Sequence, residues 1–269
     1  MIKLIVSDLD GTLLDHGKRI NERDLQSLAK AYDHGFDLCI ASGRMNSEIQ
    51  ILLQPFANRF YAVGQNGATI HMHDQRLLAS AEFTPELSTQ LLQVTGRDEF
   101  IHFIHCNDDS FYVRDWNEAV LSYEARIMTA ISTHADLEGA IAADHMRCSK
   151  LSYFGELEKL VQLEARFKHR FTGQIETFIS DKDCLDVMPC NVSKGDALKL
   201  LIQELGIASD EIACIGDSFN DLSMFALTPH SFAMSESRDE IRSRASTVVQ
   251  SVAEAIDHII AYNYMSSTK

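Results

Sequence analysis

Short apolar runs that end in acids or turn residues alternate with helical periodicities at both ends of this chain, but not in its middle. No other feature constrains the fold as strongly. Residues 2–7 form an apolar run with β-branched side chains, closed by Asp8, and such a run predicts a buried strand. Asn21 then offers an N-cap, Leu25, Leu28, Ala29 and Tyr32 follow at helical spacing, and Gly35 stops the helix. Residues 36–41 are a second buried run before the turn Ser42-Gly43. A second helix carries Ile49, Leu52 and Leu53 to Pro55, and residues 60–65 are a third strand ended by Asn66-Gly67. After Pro189 the pattern returns: a helix over 195–205 ended by Gly206, a strand over 212–216, a helix over 219–227, a strand over 246–250 and a closing helix over 252–260. Strands alternating with helices build βαβ units, so the spacing predicts a parallel sheet.

Between these halves the rhythm changes. Thr84-Pro85 opens a helix with Leu87, Leu91 and Leu92 on one face. Strands over 100–106 and 111–114 flank the turn Asn107-Asp108-Asp109, and a helical stretch runs from Glu118 to about residue 131. A strand near 148–154 and a helix over 156–167 precede strands over 175–180 and 184–188. Helix followed by hairpin, twice, predicts an antiparallel sheet covered on one face. At ~150 residues per domain, 269 residues make two domains. The pattern assigns residues 1–82 and 189–269 to a discontinuous α/β core and residues 83–188 to an α+β insert.

Composition narrows the partners. A formal net charge of −15 argues against nucleic acid or an anionic membrane, both of which demand basic surface. The apolar runs fall short of the ~20 residues of a transmembrane helix, and the first run meets Asp8 too soon for a signal peptide. Cys39, Cys106, Cys148, Cys184, Cys190 and Cys214 form no CxxC pair and read as reduced core thiols of a cytoplasmic protein. His71 and His73, like His102 and His105, read as exposed or half-buried strand residues rather than metal ligands, and Trp116 with the Phe residues of the insert as its core.

The chemistry concentrates where strands end. Asp8-Leu9-Asp10-Gly11-Thr12 directly follows the first strand, and in open α/β sheets functional groups gather at the carboxyl ends of strands. Alone, Asp-x-Asp-Gly is a common turn; here its two carboxylates repel unless a cation or a shared proton compensates them. Asp8 can coordinate Mg²⁺ and attack an electrophile while Asp10 handles protons. Asp217 ends the strand at 212–216 in the same manner. If the two strand ends lie side by side, Asp8 and Asp217 make an oxygen site suited to Mg²⁺ rather than zinc. Asp221 reads equally as a helix-start charge. Ser42 and the backbone N–H groups after it can hold a phosphate. Arg44 can pair with an anion or bridge to an acid. Lys194, in Ser193-Lys194-Gly195, resembles a solvated surface charge, yet an anionic substrate at an acidic site needs a cation.

In this order the residues resemble the haloacid dehalogenase superfamily, whose four motifs read here as Asp8-x-Asp10-Gly11-Thr12, Ser42-Gly43-Arg44, Lys194-Gly195 and Gly216-Asp217-Ser218-x-Asn220-Asp221. The insert, Asn66-Gly67-Ala68 and Leu185-Asp186-Val187 are similar to the Cof-like phosphatases with a type IIB cap. Met234-Ser235-Glu236-Ser237 departs from the small turn usual in that subgroup, which bears on substrate preference and not on the chemistry. The resemblance implies a Rossmann-like core, a mobile cap and a Mg²⁺-dependent phosphatase acting on a small phosphorylated metabolite as monomer or homodimer. Asp8 would be the nucleophile and Asp10 the acid and base. Asp8, Asp217 and the Asp10 carbonyl would hold Mg²⁺, Leu9, Ser42, Gly43 and Lys194 would hold the phosphate, and Asn220 would reach the phosphate or orient Lys194. Arg44 and Asn66 would meet the substrate, with Asp221 supporting the metal ligands. A sugar phosphomutase of the same superfamily and a non-catalytic phosphometabolite sensor are the rival readings; the intact Asp8 and Asp10 count against the sensor.

Overall fold

The computed structural model describes residues 1–15, 19–95, 99–124, 128 and 130–267. They form two compact units, one of Met1–Arg44, Leu52–Leu78 and Ser193–Lys269, the other of Met45–Ile51 and Ala79–Val192. Among the described residues no helix is long and apolar enough to cross a membrane.

The first unit is built on an eight-stranded sheet in the order Thr247–Val249, Ser231–Met234, Ile212–Gly216, Leu4–Ser7, Asp37–Ala41, Phe60–Gly64, Thr69–His71 and Leu77–Ser80. From the first to the sixth, neighbours run parallel, as the strand–helix alternation requires. Phe60–Gly64 and Thr69–His71 pair antiparallel instead, because Gln65, Asn66 and Gly67, all at positive φ, reverse the chain. Leu4–Ser7 is buried at every position and lies between strands from both halves of the sequence. Ser7 is in register with Ile215 on one side and Ile40 on the other. Residues 8, 216–217 and 41–42 therefore leave the sheet side by side.

Capping ties these elements together. Asn21 accepts from the Asp24 N–H at 2.9 Å and opens the helix Glu22–Asp33. The buried Asp24 carboxylate in turn accepts from the Ala253 N–H at 2.7 Å, in the first turn of the closing helix Val252–Ser267. Ser193 caps Lys194–Leu205, whose end is set by Gly206 at φ 64. Ser231–Met234 is a strand that the sequence pattern does not predict; its four residues are held by parallel pairing on both sides.

The second unit carries a six-stranded sheet ordered Ile175–Asp181, Cys184–Pro189, Cys148–Phe154, Ile101–Cys106, Phe111–Val113 and Ile131–Thr133. Pairing is antiparallel except between the last two strands. Residues from the helices Pro85–Gln93, Leu137–Ala142 and Leu157–Arg170, among them Leu91, Ile141, Leu160 and Phe167, pack over Ile104, Leu151, Tyr153, Leu185 and Val187 on one sheet face. The opposite face holds Phe103, which clusters with Phe111, Val113, Val120 and Met45. Met45 lies within the stretch that the alternation assigns to the first domain, and its neighbours explain why it packs here. The Asp109 carboxylate accepts from the Asn46 and Ser47 N–H groups at 3.1 and 2.7 Å and so holds the start of the helix Asn46–Leu52.

Several local expectations need correction. Glu118–Glu124 is helical, but Ile131–Thr133, where the sequence pattern closes that helix, is a strand; of the stretch between, Ala125, Arg126, Ile127 and Thr129 lie outside the described residues. Trp116 is 43% exposed and not core. His102 and His105 are buried, because Thr95 Oγ1 and Ser152 Oγ supply hydrogen bonds at 2.8 Å to each ring. His71 is buried as well, while His73 is exposed. The cysteines are free thiols, all buried but Cys190.

Candidate active site

Four loops at the carboxyl ends of the first unit's central strands meet around Asp8. The Asp8 N–H still donates to Ile215 O at 2.9 Å, as the last rung of the ladder that fixes the two acidic strand ends together. Beyond it, Leu9 O accepts from the Leu13 and Leu14 N–H groups, closing a tight turn with Gly11 at φ 89. A Cβ at Gly11 would stand 2.6 Å from Asp217 Oδ2, so glycine is needed here for both conformation and space. Thr12 Oγ1 donates to Asp217 Oδ1 at 2.7 Å. This role for Thr12 is missed by spacing, although its place in the Asp-x-Asp-Gly-Thr run marks it.

Lys194 is the centre of the charge arrangement. Its Nζ lies 2.6 Å from Asp8 Oδ1 and 2.7 Å from Asp221 Oδ1, and its side chain is fully buried. The alternative of a solvated charge does not hold, because two counter-charges from distant segments bury the ammonium. Asp221 is equally buried, and its other oxygen accepts from the Asp217 and Ser218 N–H groups, each at 2.9 Å. Gly216 makes room for this, since a Cβ there would meet Asp221 Cγ at 2.5 Å. Burial alone would lower the Lys194 pKa; Asp221 and Asp8 outweigh it and raise it. The Asp8 carboxyl is held well above the usual carboxylate range, first by burial and then by Asp221 and Asp217, against the pull of Lys194. Asp217 is raised by burial and by Asp221, with Thr12 opposing. Among the described residues three carboxylates face one ammonium, and the excess is negative.

That excess, with the donor chemistry, fits a hard cation. Asp8, Asp217 and Asp221 each present a carboxylate oxygen within 4.8 Å of the others, and an all-oxygen set suits Mg²⁺. Both Asp221 oxygens already have partners, so Asp8 and Asp217 are the ligands that remain available.

The remaining sequence candidates converge on the same strand ends. Ser42 is buried and its Oγ accepts from the Arg44 N–H at 3.2 Å. Its carbonyl accepts from the Asn66 N–H at 2.9 Å. The Asn66 side chain accepts from Asn220 Nδ2 at 3.0 Å and would meet a Cβ at Gly43 at 3.2 Å. Asn220 thus reaches Asn66, and the ammonium partners of Lys194 are Asp8 and Asp221. Ser223, which sequence reasoning passes over, accepts from the Gly195 N–H at 3.0 Å and steadies the Lys194 loop. Arg44 grips Asp10 with two parallel bonds, Nε to Oδ2 at 2.6 Å and Nη2 to Oδ1 at 2.7 Å.

Comparison with known proteins gives the family and the fold. A family model described as haloacid dehalogenase-like hydrolase matches residues 5–260. The 5-amino-6-(5-phospho-D-ribitylamino)uracil phosphatase YwtE of Bacillus subtilis is 27% identical, over 98% of this chain and 100% of its own length. The HMP-PP phosphatase of Cronobacter sakazakii is 25% identical, over 90% of this chain and 87% of its own. In fold, the crystal structure of TM0651 from Thermotoga maritima superposes with a TM-score of 0.84 at 24% identity, covering 96% of this chain and 97% of that one.

Proposed function

This chain belongs to the haloacid dehalogenase-like hydrolases, and on that premise we propose that it hydrolyses phosphate monoesters of small metabolites in the cytoplasm, with Asp8 as nucleophile. The observation that carries the reading is the buried Asp8–Lys194–Asp221 chain beside Asp217, with Asp10 at the rim. Asp8 Oδ attacks phosphorus in line, the ester P–O bond breaks, and Asp10 donates a proton to the leaving oxygen. Water then attacks the aspartyl-phosphate, Asp10 takes its proton, and the Asp8 carboxylate is restored with release of inorganic phosphate.

Asp8, Asp217 and the main-chain carbonyl of Asp10 would hold Mg²⁺. When bound, the ion supplies positive charge between the carboxylate nucleophile and the phosphate dianion. Lys194 orients Asp8 and offsets charge on the transferring group. Ser42, Asn220 and the N–H groups of Leu9, Asp10 and Gly43 would hold the equatorial oxygens. Arg44 and Asn66 would line the leaving-group side, and Asp221 fixes the Lys194 ammonium. The named activities of the relatives, both phosphatases of small phosphorylated compounds, support the substrate class. Part of the selectivity within that class is assigned to the inserted unit.

The test is phosphate release over a panel of metabolite phosphates in Mg²⁺. Steady turnover without an activating bisphosphate is expected, and its absence on removing Mg²⁺ with EDTA or in Asp8→Asn. Activity that survives either change would remove the covalent, metal-assisted reading.

A further inference from the structure

We infer that Arg44 selects esters whose leaving part carries a second anionic group, a carboxylate or a phosphate, by exchanging Asp10 for that group. The inference rests on the phosphatase reading above and names the substrate class within it.

The two cations of the site are placed differently. Lys194 is fully buried on Asp8 and Asp221, on the side of the nucleophile. Arg44 is bound to Asp10, the residue that must address the leaving oxygen. Both Asp10 oxygens are engaged by the guanidinium fork, so in this arrangement neither is turned to a leaving group. The partners also differ in freedom. The Arg44 backbone is pinned at both polar groups, its N–H on Ser42 Oγ at 3.2 Å and its carbonyl accepting from the Gln65 N–H at 2.8 Å. Its side chain is 10% exposed, whereas that of Asp10 is 47% exposed. Asp10 is therefore the half of the pair that can swing away at little packing cost.

A guanidinium fork binds carboxylate and phosphate with the same two parallel bonds. A substrate anion that replaces Asp10 conserves both bonds at Arg44 and frees Asp10 to protonate the leaving oxygen. An ester with a neutral leaving part must break the fork with nothing to replace it. A charge-assisted pair of bonds lost in this way corresponds to roughly 10- to 100-fold in kcat/KM.

Three esters with a primary alkoxide leaving group test this with the full chain in Mg²⁺: glycerol 1-phosphate, 3-phosphoglycerate and glycerol 1,3-bisphosphate. The wild type should favour one or both charged esters by roughly 10- to 100-fold in kcat/KM, and which of them tells a carboxylate from a phosphate. Arg44→Gln should bring the ratio close to one, with the loss falling on the charged esters. Arg44→Lys keeps the charge without the fork and should lose most of the ratio, which decides the matter even if the Gln variant fails to fold. Equal kcat/KM for all three esters in the wild type, or a ratio that persists in either variant, overturns the inference while leaving the phosphatase reading intact. No phosphate release from any of the three would count against the phosphatase reading itself and take the inference with it.

Discussion

Replacing Asp10 by Asn removes a proton donor but keeps the main-chain carbonyl, so the two roles proposed for this residue come apart. Mg²⁺ affinity should hold, measured by calorimetric titration. Proton transfer should not: general acid help is worth about 10²–10⁴-fold and matters most when the leaving oxygen is a strong base. An alkyl phosphate should therefore lose far more kcat/KM than p-nitrophenyl phosphate, whose leaving group needs little protonation. The parameter must be kcat/KM, because kcat can report hydrolysis of the aspartyl-phosphate, where Asp10 acts as base for every ester. Equal losses for both esters, with Mg²⁺ affinity unchanged, would mean that Asp10 is not the leaving-group acid. At this scale the sequence is most legible where a residue type has few uses. Acids that close an apolar strand, as Asp8 and Asp217 do, have few. A single Lys has many, and the partners that bury Lys194 stand 186 and 27 positions away.

Two glycines separate turn geometry from site geometry at the scale of the element. Gly206 ends Lys194–Leu205 in the left-handed region with nothing within 4 Å of a built Cβ. Gly206→Ala should cost only the backbone term, about 1 kcal/mol, and leave turnover unaltered. Gly11 combines φ 89 with a Cβ position 2.6 Å from Asp217 Oδ2, so Gly11→Ala must also displace a carboxylate proposed to hold Mg²⁺. Its cost should be larger, ~2–3 kcal/mol of strain, and Mg²⁺ affinity should fall with it. Urea unfolding and a Mg²⁺ titration of both variants check this. If Gly11→Ala matches Gly206→Ala in stability and keeps its affinity, the turn does not grip Asp217. Elements with their own punctuation are readable from the chain: the Asn21 cap, Thr84-Pro85 and Gly206 sit where spacing predicts them. Ser231–Met234 and Leu137–Ala142 escape because they are short, and the latter contains Gly139. Sheet neighbours hold the first, and a packed face with the Asp136 cap holds the second.

On the scale of the whole molecule, the buried carboxyls of the site and the buried histidines of the second unit should answer pH with opposite signs. In the metal-free protein the Asp8 and Asp217 carboxyls are raised above their usual range, chiefly by burial. The stability they affect is full below about pH 4 and is lost as pH rises through the folded values. The second unit contains the reverse case. Burial pushes His102 down to about 4, with Arg114 adding to the shift, and His105 is lowered by burial and by Lys150. These rings are neutral when folded and take up protons when unfolded, so their contribution is present above about pH 6.5 and is lost as pH falls toward 4. For His102 alone the loss amounts to about 3 kcal/mol. Trp116 is the chain's single tryptophan and lies in this unit, so its fluorescence reports on the insert. Denaturant unfolding followed at Trp116 should show a midpoint that falls between pH 6.5 and 4, and His102→Gln should flatten part of that slope. Mg²⁺, proposed to bind the first unit's carboxylates, should raise that unit's stability at neutral pH and leave the slope read at Trp116 unchanged. An acid slope that His102→Gln leaves intact would assign the effect to other groups, and a slope that Mg²⁺ abolishes would place it at the metal site.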